Sequence, residues 1–86
     1  MKIRFHKNFI KKYKLLSEKQ KKKTQGRLGL FLSNSFNMVL SNHPLKGKYL
    51  DYRSINITGD LRAIYKFVSD GECIFVEIGT HNKLYS

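Results

Sequence analysis

An 86-residue chain with 17 Lys and Arg against 6 Asp and Glu carries a net charge of +11 and an isoelectric point near 10.0. Such a field draws polyanions, nucleic acid first, with an anionic membrane surface or an acidic protein partner as alternatives. A chain this short buries only about 60% of its unfolded surface, so one small domain over residues 1–86 is expected, and its single cysteine, Cys73, excludes an internal disulfide and a cysteine-rich zinc site and fits a reducing cytoplasm. No apolar run approaches the roughly 20 residues of a membrane-spanning helix, and Met1 leads into charged, alternating sequence instead of a signal peptide.

Lys2 to His6 alternates polar and apolar, a short strand with Ile3 and Phe5 on one face. From Lys7 the period lengthens: Phe9, Ile10, Tyr13 and Leu16 fall at helical spacings. Ser17-Glu18-Lys19-Gln20 then reads as a capping box that starts a second helix. Its apolar stripe is Leu28, Phe31, Leu32 and Phe36, with Met38 and Val39 near its end, and Gly26 and Gly29 suggest close packing inside it. Its first turns hold Lys19, Lys21, Lys22, Lys23 and Arg27, a patch that is either a solvated face or a nucleic-acid footprint. The helix must stop before Pro44, because the residue preceding a proline is pushed out of the α region. Asn42 to Lys48 is therefore a loop, Tyr49 to Thr58 a strand and Thr58-Gly59-Asp60 a turn.

Two apolar-rich runs, Leu61 to Val68 and Cys73 to Ile78, flank Asp70-Gly71, a hairpin signal because a type I′ turn needs φ > 0 at both central residues. With those two residues as the turn, Phe67 faces Ile74, Tyr65 faces Val76 and Ala63 faces Ile78 on one apolar face. Arg62 opposite Gly79 and Ile64 opposite Glu77 fall on the other face, and past the strand ends Asp60 comes across from His81. The fold class is α+β: an N-terminal strand and a two-helix hairpin on one face of a mostly antiparallel sheet.

No P-loop, dinucleotide fingerprint, zinc-helix motif or nucleophile elbow is present, and the spacing supports no metal-ligand set, so no cofactor and no metal are expected. His6 reads as a surface residue, whereas His43 and His81 are candidates for proton transfer. The chemistry that suits them is cleavage of RNA by its own 2′-hydroxyl, which needs a base, a cation for the phosphorane charge and an acid for the leaving 5′-oxygen. In that scheme Asp60 orients an imidazole or accepts a proton, Arg62 and Lys48 hold phosphate, and Tyr85 and Tyr52 stack on bases. The plainer alternative is that Asp60 and Arg62 form a structural pair and the C-terminal residues are a docked tail.

His43-Pro44-Leu45-Lys46-Gly47, Tyr52-Arg53, Gly59-Asp60-Leu61-Arg62-Ala63-Ile64-Tyr65 and Ile78-Gly79-Thr80-His81-Asn82-Lys83-Leu84-Tyr85 resemble, in order, the blocks of the RelE/ParE superfamily of bacterial toxins, and its YafQ-like branch above all. The resemblance implies a cytoplasmic toxin that cleaves mRNA on the ribosome without metal and is held inactive in a complex by a cognate antitoxin. By matching position it assigns catalytic or substrate-contacting roles to His43, Asp60, His81 and Tyr85, and Arg62 matches the arginine of the wider RelE pattern. The RNA-binding set is then Lys21, Lys22, Lys23, Arg27, Lys46, Lys48 and Arg53, with mRNA and ribosomal RNA as partners and no membrane. One departure stands out: Asn56 occupies a strand position where that branch often has a histidine, and Asn cannot exchange a proton. A ParE-like toxin that blocks DNA gyrase, or an inactive basic binding protein, remains the alternative.

Overall fold

The computed structural model describes residues 1–85; Ser86, the last residue of the expected 1–86 domain, lies outside the described residues. The elements in order are β1 (Lys2–Phe5), α1 (Lys7–Lys14), α2 (Glu18–Ser33), β2 (His43–Pro44), β3 (Arg53–Asn56), β4 (Leu61–Ser69), β5 (Glu72–Thr80) and α3 (His81–Tyr85). The strands form one sheet in the order β1-β5-β4-β3-β2. β1 runs parallel to β5 and the other neighbours are antiparallel, so the fold is α+β with the strand and helical hairpin at the N-terminus.

Both helices start where side chains satisfy their free N–H groups. His6 Nδ1 accepts from Asn8 N at 3.1 Å, a capping role beyond that of a bare surface residue. Ser17 Oγ accepts from Gln20 N at 3.1 Å while Gln20 Oε1 accepts from Ser17 N at 3.0 Å, closing the capping box. α2 ends earlier than its apolar stripe suggests. Ser35 Oγ donates to the Phe31 carbonyl and Asn37 Oδ1 accepts from Val39 N, so short polar side chains take the bonds that a continued helix would use. Phe31 is buried, whereas Leu32, Phe36 and Met38 are exposed. Gly26 and Gly29 face open space, which removes close packing as their reason.

The core lies between the helices and one sheet face. Phe31 meets Tyr65 and Phe75 edge to face, with centroids 4.8 and 5.2 Å apart, and Phe9 of α1 reaches Phe75 at 5.9 Å. These arrangements suit the ring quadrupoles. Phe75 and Ile78 are both buried although three residues apart, which a regular strand would place on opposite faces. A bulge at Val76 reconciles them: Ile64 opposes Glu77, but Tyr65 opposes Phe75. A second irregularity at Val68 restores Ser69 opposite Glu72. The regular register expected for the hairpin therefore fails in its middle, and Cys73 and Phe75 enter the core in place of Ile74 and Val76. Phe67 is left 46% exposed.

Asp70-Gly71 does join the strands, but only Gly71 has positive φ, at 75°, so the turn is not type I′. The expected strand from Tyr49 to Thr58 is shorter. A 3₁₀ turn over Gly47–Tyr49 and Asp51 at φ 75° delay pairing until Arg53, while the preceding loop contributes the two residues of β2.

Candidate active site

Strand alternation sends Ala63 and Tyr65 into the helix-covered core and Arg62 to the other face, with Asn56 as its neighbour on β3. α3 folds back against β5. Leu84 of α3 is buried and packs beside Gly79, the residue opposite Arg62, where even a Cβ would make an ordinary contact with Leu84 Cδ2 at 3.4 Å. α3 opens at His81, whose backbone N–H donates to the Asp60 carbonyl at 3.1 Å. Tyr85, one helical turn on, brings its ring centroid to 4.8 Å from the His81 imidazole.

His43 arrives from the sheet edge, where β2 pairs it with Ser54. Its Nδ1 lies 2.7 Å from the Ser41 carbonyl. A carbonyl can only accept, so Nδ1 carries the proton and Nε2 of the neutral ring keeps a free lone pair. Arg62 is held through one nitrogen, Nη1, which donates to Thr58 O at 3.0 Å and Gly59 O at 2.7 Å. That grip fixes the guanidinium while its remaining donors have no partner among the described residues.

These groups share a cleft of about 490 Å³. His43, Lys46, Arg62, His81 and Tyr85 line it together with Asn56, and Ser41 and Leu45 complete the wall. Two cations, two imidazoles and a phenol converge there with no carboxylate among the lining residues, an arrangement suited to a phosphodiester. Asn56 stood out in the sequence only as a departure from a pattern. Ser41 and Leu45 carry no chemical signal of their own and enter through their neighbour His43.

The remaining sequence candidates lie elsewhere. Asp60 is exposed, outside the cleft lining, and reaches His81 through its backbone; among the described residues it forms no ion pair with Arg62, which removes the structural pair considered as an alternative. Arg53 donates through Nε to Asn42 Oδ1 at 2.8 Å and lies over the Phe36 ring at 5.2 Å. Asn42 in turn donates to the Tyr65 hydroxyl at 2.7 Å, so Arg53 buttresses the core edge. Lys48 and Tyr52 line a separate depression. Lys23 and Arg27 line, with Lys19, a second basic cleft of about 480 Å³ that meets the first at Asn56. Lys22 lines an adjoining depression with Lys23 and Arg27 and not the cleft itself, and Lys21 pairs with Glu18 at 3.7 Å. Cys73 is wholly buried, and burial, reinforced by Glu72, pushes its thiol up to about 11, so it stays protonated at neutral pH. Among the described residues no three His, Cys, Asp or Glu side chains gather as a metal would require, and no helix is long and apolar enough to cross a membrane.

A family model described as the bacterial toxin of type II toxin-antitoxin system, YafQ, matches residues 1–86. The chain belongs to the YafQ toxin family. Among solved structures, this YafQ-family toxin is similar to YafQ from E. coli strain BL21(DE3), with 26% identity, a TM-score of 0.81, and 98% of this chain and 97% of that chain covered. It is similar also to a chain of the E. coli DinJ-YafQ toxin-antitoxin complex, with 27% identity, a TM-score of 0.78, and 98% and 96% covered. The YoeB/ParE toxin from Agrobacterium tumefaciens, at 20% identity with a TM-score of 0.79 over 94% of this chain and 99% of that one, shares the fold. No curated protein sequence gives a significant match.

Proposed function

We propose that this YafQ-family toxin is an endoribonuclease that cuts translated mRNA on the ribosome, in the cytoplasm, and is silenced by a cognate antitoxin. The observation that carries the reading is the convergence of His43, Arg62, His81 and Tyr85, which come from separate parts of the chain, in one cleft without carboxylates. The antitoxin partner is supported by family membership and by the DinJ-YafQ complex of a similar chain.

In the proposed reaction His43 Nε2 takes the proton of the 2′-hydroxyl. The 2′-oxygen then attacks the adjacent phosphorus, Arg62 and Lys46 stabilise the charge on the phosphorane oxygens, and the bond from phosphorus to the 5′-oxygen breaks. Protonated His81 gives its proton to that oxygen. The products are a 2′,3′-cyclic phosphate and a 5′-hydroxyl, and no other reactant is consumed. Tyr85, beside His81, holds a base by stacking. Positioned acid–base catalysis of this kind contributes about 10² to 10⁴ in rate.

Primer extension on a reporter mRNA in a reconstituted translation reaction tests the reading. Wild type should cut at defined positions and His81→Ala should not, with fold retained because His81 is exposed on a short terminal helix. Intact mRNA with wild type, while growth is still arrested in cells, would overturn it and direct attention to gyrase.

A further inference from the structure

The aromatic surface does not end at the cleft. Tyr85 also meets Tyr49, with centroids 6.1 Å apart and planes at 88°, and Tyr49 meets Tyr52 at 6.1 Å and 76°. Lys48 Nζ lies 5.3 Å from the Tyr49 centroid and Lys66 Nζ 5.1 Å from that of Tyr52. Neither tyrosine belongs to the core cluster, and both are half-buried. Both line, with Lys48 and Glu77, a depression of about 270 Å³ distinct from the catalytic cleft.

Backbone geometry sets these rings together. Tyr52 N donates to Tyr49 O at 2.9 Å, a turn that requires Asp51 at φ 75°. A non-glycine residue in that region costs of the order of 1 kcal/mol. Both rings line the depression, so part of each stays open to a planar ligand, and the ammonium near each ring supplies a phosphate partner beside it. Glu77, tied to Lys12 at 2.7 Å, puts a carboxylate in the depression, which repels phosphate and favours an uncharged base there.

We propose that Tyr49 and Tyr52, with Lys48 and Lys66, form a second nucleobase-stacking subsite that takes the nucleotide next to the one held at Tyr85. The proposal rests on the reading of the cleft as an RNA site and extends it by one position along the strand. Stacking on an aromatic side chain tolerates any base, so this subsite strengthens binding without selecting sequence.

Binding of fluorescently labelled 2′-deoxy oligonucleotides, which cannot be cleaved by this route, tests it by anisotropy at fixed physiological salt. Tyr52→Leu should weaken a hexanucleotide about five- to hundredfold and a mononucleotide far less, and Tyr52→Phe should recover the lost affinity. Thermal transitions matching wild type identify folded variants, and Tyr49→Leu gives an independent second measurement. Unchanged hexanucleotide affinity in Tyr52→Leu and Tyr49→Leu, with a clear loss in Tyr85→Ala, would overturn this subsite and leave the cleft reading standing. No binding of any oligonucleotide by wild type would overturn both.

Discussion

His81 and Asp60 are joined by a backbone hydrogen bond of 3.1 Å from the first residue of α3 to the turn before β4. The bond uses the Asp60 carbonyl, which any residue would supply, while the carboxylate stands outside the cleft lining. Asp60→Asn should therefore lower mRNA cleavage by about tenfold or less, against 10²-fold or more for His81→Ala. Single-turnover rates on ribosome-bound mRNA check the order; equal losses would make the Asp60 carboxylate a direct participant.

Arg62 spends one nitrogen on two carbonyls, and its other donors have no partner among the described residues. An ammonium cannot hold the turn and a phosphate in the same fixed geometry. Arg62→Lys should retain the fold and lose about 10²-fold in cleavage, comparable to removal of an oxyanion donor. A loss below threefold would show that charge alone suffices.

Asn56 lies beside Arg62 across the β3–β4 ladder and lines the cleft. Its amide can hydrogen-bond but cannot exchange a proton. Asn56→His places a third imidazole in the cleft and should raise cleavage near pH 7 by about tenfold, with a new ionisation in the pH–rate profile. An unaltered profile would mean that His43 and His81 already saturate the proton transfers.

Lys23 lines the second basic cleft with Lys19 and Arg27, whereas Lys21 is paired with Glu18. Lys23→Glu should therefore weaken ribosome binding more than Lys21→Glu and lower the salt slope by about one contact, 0.7 to 0.9 in the logarithmic plot. Equal effects would reduce the patch to a diffuse field. Titration of affinity against salt for both variants decides.

Cys73 links stability to alkaline pH. Burial raises its folded pKa from 9.0 to about 11, so the unfolded chain loses this proton first. The stabilisation is complete below pH 9 and is lost as pH rises from there through about 11, a change of the order of 2–3 kcal/mol. Burial also raises Tyr49 and Tyr65, which adds in the same direction. Urea midpoints between pH 8 and 11 should fall for wild type and fall less for Cys73→Ala; parallel curves would remove Cys73 as the cause.

What the sequence determined by itself is what a few consecutive residues decide: the Ser17–Gln20 capping box, the two strands about Asp70-Gly71 and a charge that invites a polyanion. The Gly-Asp-Leu-Arg and Gly-Thr-His blocks were legible for the same reason, and the family match covers the chain that carries them. Tertiary structure alone decided the rest. The hairpin bulges at Val76 because Phe75 and Ile78 must both reach a core built by Phe9 and Phe31, residues more than forty positions away in the chain. Only the pairing of β3 with β4 set Asn56 beside Arg62, and only the burial of Leu84 against β5 seats α3 so that His81 and Tyr85 share a cleft with His43. Local hydrogen bonds and turn preferences are written within a few residues, whereas strand register and the choice of which cations meet follow from filling one small core from distant parts of the chain.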